Sequence, residues 1–169
     1  MRGLVHSWTR HSGLEGGTSC HPPRYFGQTL QKTNTWLDEI MAEIGPDRQV
    51  AWHALGAVLH PLRDRMPLDL AAHFGAQLPL LVRGLYYDQW HPAAQLERLR
   101  TLDEFLDRVE EGLQGIRPVN GRDATQAVFR TLSHHVDPGQ VAKVIDALPE
   151  ELKALWRSTA VVGAAAASI

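Results

Sequence analysis

The sequence predicts an all-α fold: a helical bundle of two pseudo-repeats, each of about four helices in the order long, long, short, short. Three observations predict it. Apolar residues recur at spacings of three and four along most of the chain, the period of a helix with one buried face. Caps and breakers punctuate these stretches. A segment of the first half also aligns without gaps on a segment of the second. The 169 residues are 44% apolar and 21% charged, a globular balance that excludes a disordered chain. β-branched residues are few and strict alternation is short, so no strand is expected.

The elements follow in order. Met1 to Arg24 carries several glycines, three histidines and Pro22–Pro23 without a helical period, and reads as a flexible N-terminal extension (1–24). A single all-helical domain is expected over 25–157, with repeat one at 25–90 and repeat two at 101–157. Leu30, Thr33, Leu37, Ile40, Met41 and Ile44 mark the first helix, which Gly45–Pro46 ends. Asp47 caps the next, which carries Leu55, Val58, Leu59 and Leu62; Pro61 inside it is expected to kink or split it. Pro67 and Pro79 open two short helices, Leu68 to Gln77 and Leu80 to about Tyr87.

The second half opens at Thr101, with Glu104 completing a capping box. Leu102, Phe105, Leu106, Val109 and Leu113 follow, closed by Gly115 and Pro118. Asn120 caps a helix bearing Ala124, Ala127, Val128, Leu132 and Val136. Asp137–Pro138 opens a short helix to about Ala147, and Pro149 opens the last, ending near Trp156. Residues 158–169, rich in alanine but broken by Gly163, read as a flexible tail.

Segment 53–86 aligns on 123–156. Ala54/Ala124, Ala57/Ala127, Val58/Val128, Leu62/Leu132, Ala72/Ala142, Leu78/Leu148, Pro79/Pro149 and Leu85/Leu155 are identical pairs. Apolar matches alone arise between any two amphipathic helices. A Leu–Pro pair at the same distance beyond a shared Leu in both copies, Leu62 to Leu78 and Leu132 to Leu148, is more specific. The physical expectation is two units whose apolar faces close on each other, since a unit of ~65 residues buries little core alone.

Trp36-Leu37, Leu62-Arg63-Asp64-Arg65, Gly75-Ala76-Gln77-Leu78-Pro79, Arg83-Gly84-Leu85-Tyr86-Tyr87, Trp90, Glu104-Phe105-Leu106, Leu148-Pro149 and Leu155-Trp156 occur in that order. Together they resemble the bacterial domain-of-unknown-function family 2267, over about Tyr25 to Trp156. The resemblance implies a small, cytoplasmic, all-helical protein. It supplies no catalytic or binding residues. Pro61 is a local departure, and Met1–Arg24 lies outside the match.

Functional classes narrow by exclusion. Net charge is −2, with Arg63, Arg65, Arg83, Arg98 and Arg100 matched nearby by acids, so no nucleic-acid partner is expected. No uncharged apolar stretch is long enough to cross a membrane, and no secretory leader is recognised. Cys20 is alone, which excludes an internal disulfide. His53 and His60 lack a third ligand, and His134 and His135 point apart on a helix, so no metal is expected. No phosphate loop or nucleophile elbow is present, and Ser133–His134 is only a sequence neighbour pair. Catalytic, cofactor and metal residues are therefore read as none.

The candidate surface comprises Arg63, Asp64, Arg65, Arg83, Tyr87 and Trp90. The cluster Arg63-Asp64-Arg65 reads first as a structural junction between long and short helices, and second as an anion site. Leu78 to Trp90 is apolar and aromatic where its counterpart carries Glu150, Glu151 and Lys153. It is either core between the halves or a surface for a protein partner or homodimer. The leading expectation is a non-catalytic, cytoplasmic interaction or scaffold module, stress- or regulation-linked. The alternative is a small-molecule or anion-binding protein with a pocket between the repeats near Arg63 and Arg83. An uncharacterised enzyme comes third.

Overall fold

The structure is a computed structural model that describes residues 24–92 and 100–166, with side chains over 26–92 and 100–159. Eight helices and no strand lie among the described residues. The predicted extension, apart from Arg24, lies outside them. In chain order the helices are α1 (Arg24–Ile44), α2 (Arg48–Arg65), α3 (Leu68–Gln77), α4 (Leu80–Tyr87), α5 (Leu102–Gly112), α6 (Gly121–His135), α7 (Pro138–Asp146) and α8 (Glu150–Ala166).

The caps account for most of the starts. The Asp47 carboxylate accepts from the Gln49 and Val50 amides, and Asn120 Oδ1 accepts from those of Arg122 and Asp123. Thr101 and Glu104 form the reciprocal capping box. Asp137 accepts from the Gln140 amide with Pro138 at the first helical position. Gly45 ends α1 at φ +112°, a left-handed conformation that glycine adopts without a Cβ clash. Arg117, from the second half, donates Nη2 to the Ile44 carbonyl at 2.7 Å and so satisfies that helix end.

Two helices form the centre. On α2, Val50, Ala51, Ala54, Leu55, Ala57, Val58, Leu59 and Leu62 are buried on nearly every side of the helix; on α6, Ala124, Ala127, Val128, Phe129 and Leu132 are buried. The two helices touch each other, and each is flanked by the first helix of the opposite half: α1 packs on α6 and α5 on α2. α3 meets α7, while α4 lies on α1 and α2, and α8 on α6. One hydrophobic core runs through all of them, from Trp36 to Trp156.

Three boundaries differ from the sequence reading. α2 is continuous through Pro61, so the proline does not split it; the cost is one intrahelical bond, and burial of nearly every neighbouring side chain holds the helix together. α8 continues past Trp156 to Ala166, so its 17 residues are not a short helix and the expected tail is helical as far as Ala166. Ser158 and Thr159 bond their hydroxyls to the Leu155 and Trp156 carbonyls within the helix, and the alanines beyond them favour it. α5 has 11 residues and stops at Gly112, before the expected Gly115. The observed lengths therefore follow the long, long, short, short pattern in the first half only.

Candidate functional site

The C-terminal turn of α2 places Arg63 and Asp64 against the end of α4. Arg63 is 4% exposed, and its guanidinium is occupied on several sides. Nε and Nη2 donate to the two Asp64 oxygens at 2.7 and 3.2 Å. Nη1 donates to the carbonyls of Tyr86 and Asp88. The guanidinium also lies 6.0 Å from the Tyr86 ring centroid and 5.8 Å from that of Trp90. A buried charge is tolerable only with such saturation, and the result is a knot tying α2 to the end of α4.

The aromatic residues continue it. Tyr87 packs on Tyr86 at 4.9 Å and on Trp90 at 5.2 Å. Tyr86 donates its hydroxyl to the Ala71 carbonyl at 2.9 Å. Burial holds its phenol well above the ordinary range, helped by neighbouring Tyr87. Tyr87 and Trp90 are half-buried and pack against the core, so neither ring stands free. The large apolar side chains left exposed in this segment are Leu80 at 63% and Leu81 at 40%. Arg65 is half-buried with Nε unpaired.

At the aligned positions of the second half a different bond ties two helices. Trp156, at the position matching Tyr86, donates Nε1 to Ser133 Oγ at 2.8 Å, and Ser133 matches Arg63. That hydroxyl also donates to the Phe129 carbonyl, so the Ser133–His134 pair is structural at its serine. Among the described residues, no three His, Cys, Asp or Glu side chains are grouped to hold a metal ion.

Two clefts flank this region, and they separate residues that the sequence reading placed together. One, of about 370 Å³, lies between the halves and is lined by Ala57, His60, Arg63, Asp64 and Asp88 opposite Arg108 and Glu111. Both of its arginines have acid partners, Arg63 with Asp64 and Arg108 with Glu111 at 2.8 Å, and Asp88 adds a further carboxylate. The other, of about 490 Å³, holds Arg83. There Arg83 joins Gln28, Thr29, Lys32, Thr35 and Trp36 of α1, Gln77 to Leu80 at the α3–α4 corner, and His135 of α6. Arg63 and Arg83 thus line different clefts, not one shared pocket.

A family model described as "Uncharacterized conserved protein (DUF2267)" matches residues 33–155. The chain belongs to the DUF2267 family. Comparison with curated proteins finds no match. The DUF2267 region takes in every candidate residue from Arg63 to Trp90, and Trp36 and His135 of the larger cleft, while Lys32 stands immediately before it. Sequence reasoning missed Lys32, Trp36 and His135 as cleft residues, because their meeting depends on α1 crossing α6. A signal for the cleft was nevertheless in the DUF2267 chain: Arg83 aligns with Lys153, but Leu80 and Leu81 stand where the second half has Glu150 and Glu151. Lys153 donates to Glu150 at 2.8 Å, and that bond and its charge hold the Glu150 carboxyl below its ordinary range. At the aligned positions of the first half, Arg83 has leucine in place of that acid.

Proposed function

We propose that this DUF2267 member is a non-catalytic, cytoplasmic protein-interaction or scaffold module, formed from a duplicated helical unit, that self-associates through the start of α4. What carries the reading is Leu80 and Leu81: two adjacent leucines exposed on a helix whose other face, through Val82 and Tyr86, is fixed in the core. Their counterparts in the second half are glutamates, so at these aligned positions the apolar edge belongs to the first half. Rigid backing lowers the ordering cost of association. Duplication is supported by helix starts that recur at matching positions of the two aligned segments, Leu68 with Pro138 and Leu80 with Glu150. Sedimentation velocity of the full chain and of the double variant Leu80→Glu/Leu81→Glu tests the reading. A concentration-dependent dimer that dissociates in the variant, with helicity and melting unchanged, is the expected result. A wild-type chain that stays monomeric, or a dimer indifferent to the substitutions, counts against it.

The alternative, a small-molecule or anion-binding protein, is favoured by one observation: the larger cleft carries Lys32 and Arg83 and, among the described residues that line it, no carboxylate.

A further inference from the structure

The cleft at the α1, α3–α4 and α6 junction has an unbalanced set of charges. Arg83 donates Nη2 to the Ala76 and Leu78 carbonyls at 2.8 and 3.1 Å, which fixes the guanidinium at the corner. Its Nε is buried without a hydrogen-bond partner. Among the described residues that line the cleft, no carboxylate stands to pair with it or with Lys32, which is exposed on α1. Thr29, Gln28 and Gln77 add a hydroxyl and two amides, while Trp36 and Leu78, 3% and 1% exposed, form the apolar backing. His135 is engaged by Glu39 at 2.7 Å and stacks on Trp36, so the positive character rests on Lys32 and Arg83. The fixed guanidinium charge of Arg83 and the lysine point charge across one cleft suit an oxyanion shared between them. The volume, about 490 Å³, is that of a small-molecule site. The second half lacks this arrangement because Glu150 already neutralises Lys153.

We infer that this cleft binds a small organic oxyanion, a phosphate monoester or carboxylate, with Lys32 and Arg83 on the charged group and Gln28, Thr29 and Gln77 on the polar body. The inference rests on the ligand-binding reading above and gives it a place and a chemistry. The smaller cleft, where Arg63 and Arg108 already have acid partners and Asp88 adds a carboxylate, offers no such excess of positive charge.

Amide NMR of the full-length protein, titrated to millimolar inorganic phosphate or succinate against sodium chloride of equal ionic strength, tests it. The expected result is a saturable shift confined to residues 28–36 and 77–83 with the Trp36 indole, for at least one of the two anions. Phosphate alone indicates a phosphate monoester, and succinate alone a carboxylate. Lys32→Gln, a change at an exposed side chain, should weaken the response about tenfold and leave the rest of the spectrum intact. Arg83→Gln should do the same; if it unfolds the α3–α4 corner, Lys32→Gln decides. No response beyond chloride, or an equal response in Lys32→Gln, overturns the site. Shifts confined to the cleft of Arg63 and Arg108 overturn the site but keep the ligand-binding reading, whereas no shift anywhere removes both.

Discussion

Arg63 makes bonds that no smaller side chain replaces: it satisfies two backbone carbonyls at the end of α4 while its charge is matched by Asp64. Arg63→Met leaves those carbonyls and the carboxylate without their partner. A loss of about 3 kcal/mol in urea unfolding is expected. Arg63→Lys should recover only part of it, because an ammonium lacks the planar fork. Tyr86 gives a pH test on the same knot. Its phenol stays neutral in the fold because burial raises its pKa, whereas the unfolded chain's tyrosine ionises near pH 10. The stabilisation is fully present below that pH and is lost as pH rises above it. Stability should therefore fall on the alkaline side, and Tyr86→Phe should flatten that fall while costing about 1 kcal/mol at neutral pH through the lost bond to Ala71. The sequence made the Arg63-Asp64-Arg65 cluster visible, since three adjacent charges between helices stand out. It did not reveal that Arg63 reaches Tyr86 on another helix, or that Arg65 Nε is left without a partner. Chain spacing does not determine which side of a helix end faces a neighbour.

Helix ends are written in local chemistry, and for that reason they were the most legible level. Asp47, Thr101 with Glu104, Asn120 and Asp137–Pro138 all cap where their side chains require. Stops were less legible: Pro61 and the alanines after Trp156 depend on burial and propensity together. Helix separation was not legible at all, and glycine reveals it. A Cβ on Gly112 of α5 would stand 2.8 Å from the Ala57 Cβ and 3.1 Å from its Cα, so the two backbones meet there. Gly84, in α4, has nothing within 4 Å. The same substitution should act in opposite directions. Gly84→Ala is expected to stabilise by up to about 1 kcal/mol through helix propensity, and Gly112→Ala to destabilise by about 2 kcal/mol as α2 and α5 are forced apart. Thermal melts of the two variants check both signs, and Ala57→Gly added to Gly112→Ala should return part of the loss.

At the scale of the molecule, each half leans on the other through its longer helices. α1 rests on α6, α5 rests on α2, and α2 and α6 meet at the centre, so the first half shares its core with the second. Polar ties follow the same crossing: Arg130 with Glu43, His134 and His135 with Glu39, and Arg117 on the end of α1. Such a crosswise exchange, in which the first helix of each half meets the second helix of the other, is the isologous pattern of a two-fold pair joined in one chain, and it supports the proposed duplication. Its energetic consequence is definite. Splitting the chain in the α4–α5 connection exposes the faces of α2 and α6 that meet the opposite half, and the side chains buried on those helices are almost all apolar. A unit of ~65 residues has too little remaining core to offset the entropy of ordering it. Fragments 1–92 and 93–169, made separately, should therefore show weak far-ultraviolet helical signal and no cooperative melt. Mixed in equal amounts, they should regain the helical signal and a single transition, because every lost contact is supplied by the other piece. A fragment that melts cooperatively alone would instead place the main core inside one half, and the shared-core account of this fold would fail with it.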